Sequence, residues 1–218
     1  MHTQIVLFDK FDPLDVIAPF EVLVAGAQAV GGDMTVELVS AEGGREVVSG
    51  TQDLTLTATG ALDPTKPGYV IVPGASGPIA EDPDEGVETI PVLLAGVAET
   101  ALIPLLHEAF ENPDVVVATV CGGSALLAMA GMIENCYAST HYMGFDLLDA
   151  AGVNAVRARV VDDGKLISAG GVTSGLDLGL YLLERSYGPR VAHAVEELFE
   201  FERRGTVWKP SGREPLEW

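Results

Sequence analysis

Cys121 closes a strongly β-prone run, VVVATV at 115–120, and is followed by Gly122, Gly123 and a helix-forming stretch, SALLAMA. A strand that turns at once into a helix holds the residue at the bend above the carboxyl edge of a parallel sheet, where nucleophiles are displayed. Glycines after the cysteine relieve crowding in such a turn and let a substrate approach backbone N–H groups. The start of the next helix brings partial positive charge, which favours thiolate over thiol. The pattern therefore predicts a cysteine nucleophile. It is also the pattern of a structural cysteine packed at a strand end.

Two other strand ends offer partners. Asp15, in LDVIAP, falls in a predicted loop (9–15) between the first strand and a helix whose first position suits Pro19. A carboxyl group in an apolar pocket acquires a raised pKa and can pass a proton to a neighbour, although a helix cap or surface acid would read the same way. Gly74 and Ala75 follow a strand ended by Pro73, and their backbone N–H groups, with that of Gly122, could form an oxyanion site. A plain turn fits those residues equally. The second cysteine, Cys136, has no CxxC or HxxxH companion, so no metal site is expected.

These residues need a scaffold, and the chain alternates short β-rich runs with longer helical ones. Strands are expected at 4–8 (QIVLF), 34–40, 69–72 and 115–120, with a small antiparallel pair within 47–59. Segments 156–161 and 165–169 flank Asp162-Asp163-Gly164, a hairpin signal. Helices are expected at 20–30, 93–110, 123–130 and 173–187, and from Pro189 to about 201. Residues 75–92, rich in Pro, Gly and acids, read as a long loop. No repeat or linker divides the chain, which predicts one doubly wound, mostly parallel α/β domain over 1–202 with a polar tail at 203–218, whose Trp208 and Trp218 could dock onto a neighbour.

Composition narrows the function classes. With 48% hydrophobic residues among 218, the chain has material for a full core, and two cysteines make no disulfide scaffold. The balance of 12 Lys+Arg against 32 Asp+Glu, a net charge of -20, offers no basic face for nucleic acid. No apolar run reaches membrane-spanning length, and the start lacks signal-peptide features, so a cytoplasmic protein without membrane contact is expected. The acidity bears on solubility and leaves the reaction open.

The combination DPLDVIAPFEVL, YVIVPGASG, ATVCGGSALLAMAGMI, ASTHY and LISAGGVTSGLDLGLYLLE resembles the DJ-1/PfpI superfamily, of class I glutamine amidotransferase-like fold. Within it the chain is most similar to the isocyanide (isonitrile) hydratase branch and to the amidase-like domains of AraC-type regulators. The resemblance implies a flavodoxin-like domain with Cys121 as nucleophile and Asp15 as its acid. It makes Gly74, Ala75 and Gly122 backbone contributors to the oxyanion site, and His141 a histidine common in the branch, catalytic or structural. It also implies a homodimer. Gly122 departs from the pattern, since the hydratase branch often carries Thr there and the protease-like branch His. Cys136 falls in a turn that differs from the usual one.

Three readings follow. The first is hydration of an isocyanide to an N-substituted formamide through a Cys121 thioimidate, a reaction that needs no cofactor. The second is a glyoxalase- or deglycase-like reaction on carbonyls, which requires His141, His2, His107 or His193 within reach of the thiol. The third is a non-enzymatic ligand- or redox-sensing domain. In each, the expected partner is a small molecule.

Overall fold

A computed structural model describes residues 1–78 and 88–216. Trp218, and the middle of the segment read as a long loop, lie outside the described residues.

The first strand is β1 (His2–Val6), and its neighbours in the sheet are β2 (Thr35–Ser40) and β6 (Gly68–Val72), both parallel to it. Beyond β6 come β7 (Val115–Val120) and β11 (Leu166–Ala169), also parallel, then β10 (Val160–Asp162), antiparallel to β11 across the Asp-Asp-Gly turn. On the other edge β2 is followed by β5 (Gly60–Ala61). The order among the described residues is β10-β11-β7-β6-β1-β2-β5. Burial on both faces explains why β1, β6 and β7 read as unbroken apolar runs: Ile5, Val70, Ile71, Val117 and Ala118 are fully enclosed. The expected small pair is the hairpin β3 (Arg45–Val48) and β4 (Thr55–Ala58).

The first helix differs from expectation. It is α1 (Pro13–Ala29), begun by Asp12, whose carboxylate accepts from the N–H of Leu14 at 2.9 Å, with Pro13 at the first helical position. Asp15 thus sits in the first helical turn instead of a loop, and Pro19 lies inside the helix. Pro19 is accommodated by close packing on α6 (Ser174–Tyr187): a Cβ on Gly175 would stand 3.0 Å from its Cδ. The two helices stay in close contact further along, where a Cβ on Gly179 would come within 2.8 Å of Val22, and one on Gly26 within 2.2 Å of Leu183.

The stretch 93–110 is two helices, α2 (Ile90–Ala98) and α3 (Leu102–Glu111), bent by 73° at their junction. The hydroxyl of Thr100 accepts from the N–H of Leu102 there and starts the second helix. α4 (Gly123–Met129) follows β7, a short parallel pair is made by β8 (Tyr137–Ala138) and β9 (Asn154–Ala155), and α5 (Phe145–Ala150) lies between them. After α6, Gly188 at φ +88° turns the chain into α7 (Pro189–Phe199).

The segment beyond α7 packs on its own chain. Trp208 pairs with the open edge of β10, its N–H donating to Val160 at 3.0 Å and its carbonyl accepting from Asp162 at 2.9 Å, while its ring lies 5.0 Å from that of Tyr137. Asp162 binds this region together. Its Oδ2 accepts from the hydroxyl of Tyr181, and Lys209 approaches the same oxygen to 3.3 Å. No single helix among the described residues is long and apolar enough to cross a membrane.

Candidate active site

Cys121 occupies the bend between β7 and α4 at φ +56°, a left-handed conformation that costs a non-glycine residue about 1–3 kcal/mol and persists only where its surroundings impose it. Two segments impose it here. The Cys121 N–H donates to the carbonyls of Ala169 and Gly170 at 3.1 and 3.0 Å, and the Thr140 hydroxyl donates to the Cys121 carbonyl at 2.8 Å. The two following glycines serve different ends. A Cβ on Gly123 would lie 2.2 Å from the Val72 carbonyl oxygen, so the turn can pass β6 only without one. A Cβ on Gly122 would meet nothing closer than Leu94 Cδ1, at 3.2 Å.

The structure brings Asp15 to the same place. Its carboxyl is fully buried, and Oδ2 accepts from the Gly74 N–H at 2.9 Å. Oδ1 is sealed from water and has no hydrogen-bond partner among the described residues, and the Cys121 thiol adjoins the carboxyl closely enough to favour its charged form. Burial, then the negative charge of Asp12, push the Asp15 carboxyl well above the usual carboxylate range; the Gly74 N–H and the thiol offset part of this.

The thiol departs from expectation. Burial pushes it far above its ordinary value, a charged Asp15 pushes it further, and the N–H groups of Val172 and Gly122 only partly oppose this. The seven residues of α4 do not outweigh desolvation. A charged Asp15 disfavours the thiolate, so ionisation of the thiol is favoured while Asp15 holds its proton.

Cys121 is 8% exposed and lines a cavity of about 340 Å³. Its walls are largely hydrocarbon, from Ile90, Pro91, Leu94, Ala125, Met129 and Leu147; Asp12, Thr140 and His141 supply the polar positions. Ser76 and Gly77 from the divergent segment also border it. Asp15 adjoins Cys121 but is not among the residues that line the cavity.

The other predicted residues separate into two groups. Ala75 and Gly122 line the cavity, and among the described residues their N–H groups are given to no backbone carbonyl. Gly74 corrects the expected oxyanion set: its N–H is committed to Asp15, so it fixes the acid instead of facing a substrate. Its lack of a side chain matters too, because a Cβ there would lie 2.6 Å from the Gly122 nitrogen and 2.9 Å from Asp15 Oδ2. His141 lines the cavity, and its Nδ1 accepts from the Met143 N–H at 3.4 Å across a 3₁₀ turn, Tyr142–Gly144. No hydrogen bond joins it to Cys121 among the described residues. His2 and His193 face Glu37 and the pair Glu196 and Glu197, and neither they nor His107 line the cavity. Cys136 is half-buried outside it.

Sequence reasoning missed Asp12, Thr140 and Leu94. Asp12 was findable, since Asp-Pro is a helix-start signal. Thr140 adjoins a residue that was singled out. Leu94 carried no local signal.

A parallel α/β sheet with a cysteine at a strained strand-to-helix bend and a buried acid beside it defines the class of protein. The chain belongs to the DJ-1/PfpI family, whose model matches residues 96–185, a stretch holding Cys121 and His141. It is 30% identical to isonitrile hydratase of Pseudomonas putida over 198 residues, covering 89% of this chain and 76% of the relative. It is 26% identical over 141 residues to the HTH-type transcriptional regulator GbdR of Pseudomonas aeruginosa, covering 59% of this chain and 38% of that one. Drosophila melanogaster DJ-1beta shares the fold, with a TM-score of 0.74 at 18% identity, covering 92% of this chain and 98% of the other.

Proposed function

We propose that the protein is a cysteine-dependent hydratase acting on a small electrophile, with an isocyanide as substrate. One observation carries the reading: Cys121 lines a hydrocarbon-walled cavity while a buried acid, one of whose oxygens has no hydrogen-bond partner among the described residues, adjoins it. The similarity to an isonitrile hydratase supports the choice of substrate.

The reaction runs in two halves. With its proton held by Asp15, Cys121 donates a sulfur lone pair to the terminal isocyanide carbon, and Asp15 passes the proton to that carbon, giving a thioimidate. Water then adds across the C=N bond, nitrogen gains a proton, and the developing oxygen charge falls to the N–H groups of Ala75 and Gly122. The C–S bond breaks, sulfur leaves with its electron pair, the N-substituted formamide departs, and the second water proton returns to the Cys121–Asp15 pair. The chemistry calls for no cofactor. In the same reading the protein is a cytoplasmic homodimer with one domain over 1–202 and a tail at 203–218, binding neither nucleic acid nor membrane.

The test is a consumption screen with isocyanides, methylglyoxal and simple amides. Isocyanide is expected to be turned over, and Cys121→Ala to lose at least roughly a thousandfold in rate while keeping its fold. Full activity in that variant overturns the mechanism.

A second reading is favoured by His141, which lines the same cavity as the thiol. There the protein is glyoxalase- or deglycase-like, and His141 moves protons on a reactive carbonyl. Consumption of methylglyoxal but not isocyanide, lost in His141→Ala, would select it. A redox- or ligand-sensing role is the non-enzymatic alternative; a Cys121 unchanged in mass after mild peroxide counts against redox sensing.

A further inference from the structure

The residue after the nucleophile is glycine, yet the space beside it is filled. Gly122 has φ -67° and ψ -7°, which any residue adopts, so the backbone does not demand glycine there. What stands in the way of a side chain is Leu94 Cδ1, 3.2 Å from the position a Cβ would take. Leu94 projects from α2, is 3% exposed, and lines the cavity with Cys121. The backbone lies further back on the same side, with Gly74 Cα at 3.4 Å and the Ala75 nitrogen at 3.8 Å. Leu94 is therefore the neighbour that must yield, by a few tenths of an ångström, to a side chain at position 122.

We propose that Leu94 is the specificity-determining residue of this cavity: it takes the space that a side chain at position 122 would fill and sets an apolar wall beside the sulfur, against which the hydrocarbon substituent of an uncharged electrophile packs. The inference takes Cys121 as the nucleophile, as proposed above. Two features of the cavity bear on the ligand class. Its lining also includes Ala125, Met129 and Leu147, which add to the hydrocarbon surface. Asp12 is its acidic side chain, and no Lys or Arg borders it among the described residues, so a carboxylate or phosphate on the electrophile would find no cation to receive it. The ligand class is a neutral electrophile with a compact apolar substituent, its upper size set by Leu94.

The test reads thiol chemistry without requiring turnover. Second-order rates of alkylation at Cys121, followed by mass spectrometry of its peptide, are measured with N-ethylmaleimide and N-cyclohexylmaleimide on the full chain. One added or missing methylene in an apolar pocket changes discrimination by about 10–200-fold. Leu94→Ala is expected to raise the cyclohexyl-to-ethyl rate ratio by about tenfold or more. Gly122→Thr is expected to lower it, and the double variant to return it toward the original value. Leu94→Val keeps the test intact should Leu94→Ala fail to fold, since it must move the ratio in the same direction by a smaller factor. A ratio unchanged within about twofold in the Leu94 variants and in Gly122→Thr overturns the proposal. Loss of isocyanide hydration with the ratio shift intact would sink the substrate assignment alone. A Cys121 that no maleimide modifies in any variant would sink both.

Discussion

Gly74 and Asp15 form the relationship on which the site is built: the Gly74 N–H donates to Asp15 Oδ2 at 2.9 Å, so a turn in the sheet edge, and among the described residues no ion pair, holds the acid against the nucleophile. An ion-paired carboxylate would be drawn toward the charged state, whereas burial without a counter-ion favours the protonated one. The raised pKa is a direct product of that choice.

Asp15→Asn separates charge from shape. The asparagine oxygen can still accept from Gly74, but no proton can be passed on, and turnover should fall by about 10²–10⁴-fold. The stability change has a definite sign. The folded-state pKa of Asp15 lies above its unfolded value of 3.8, so its contribution is full below that value and is lost as pH rises toward the folded pKa. Relative to Asp15→Asn, the unsubstituted protein should gain stability on acidification through that window. Thermal unfolding of both proteins from neutral pH downward measures the difference, and a gap that narrows in the wrong direction would remove the acid from its assigned environment.

Gly74→Ala should uncouple the pair. The added methyl presses on both the Gly122 nitrogen and Asp15 Oδ2. A loss of about 1–3 kcal/mol in denaturant unfolding is expected, as for an overpacked core, together with slower alkylation of Cys121.

Gly122 and Gly123 are neighbours with opposite tolerance. Gly123→Ala drives its methyl into the Val72 backbone oxygen and should prevent folding or cost more than about 3 kcal/mol. Gly122→Ala meets only the end of a leucine side chain and should stay within about 1 kcal/mol. Parallel urea titrations decide; equal losses would show that the turn, and no specific approach, sets the requirement.

Asp162 gives an acid-sensitive hold on the C-terminal segment. Burial alone would raise its pKa, but the Tyr181 hydroxyl, the Gly164 N–H, and the charges of Arg185 and Lys209 keep it below the ordinary value. A depressed carboxylate stabilises above its unfolded value of 3.8 and loses that contribution as pH falls through the folded pKa. Asp162→Asn should therefore destabilise the protein at neutral pH, and the gap should close below about pH 3.8. Trp208 fluorescence against pH reports whether the segment leaves at the same point.

The scaffold was legible where local pattern and burial agree. Residues 115–120 and the strand-Cys-Gly-Gly-helix bend were read to the residue, since β7 is enclosed on both faces and its neighbours allow no other use. The start of α1 was misread because Pro19 mimics a first helical position, and its place inside the helix depends on Gly175 approaching from a segment over 150 residues away. The break at Thr100 was missed since both flanks are apolar enough to continue one helix. The positions of Asp15 and Cys121 were legible, but the state of the thiol was not: a helix start argues for thiolate from sequence, and desolvation, which depends on the whole surround, reverses it. Leu94 was beyond reach for a related reason, because its contact with position 122 exists only once α2 has docked.

The seam between α1 and α6 ties distant parts of the molecule to the chemistry. Asp15 rides on the first turn of α1, while Gly171, just ahead of α6, leaves room for the His141 ring, since a Cβ there would stand 2.7 Å from its Cδ2. The close approaches at Gly26, Gly179 and Leu183 leave no room for an added methyl, so one placed there is expected to push α1 and α6 apart and, with α1, to shift the acid relative to the sulfur. Lesions of that kind would leave a folded, thiol-bearing protein whose reactivity is detuned from a distance, and a search for inactive variants should find them well away from the cavity.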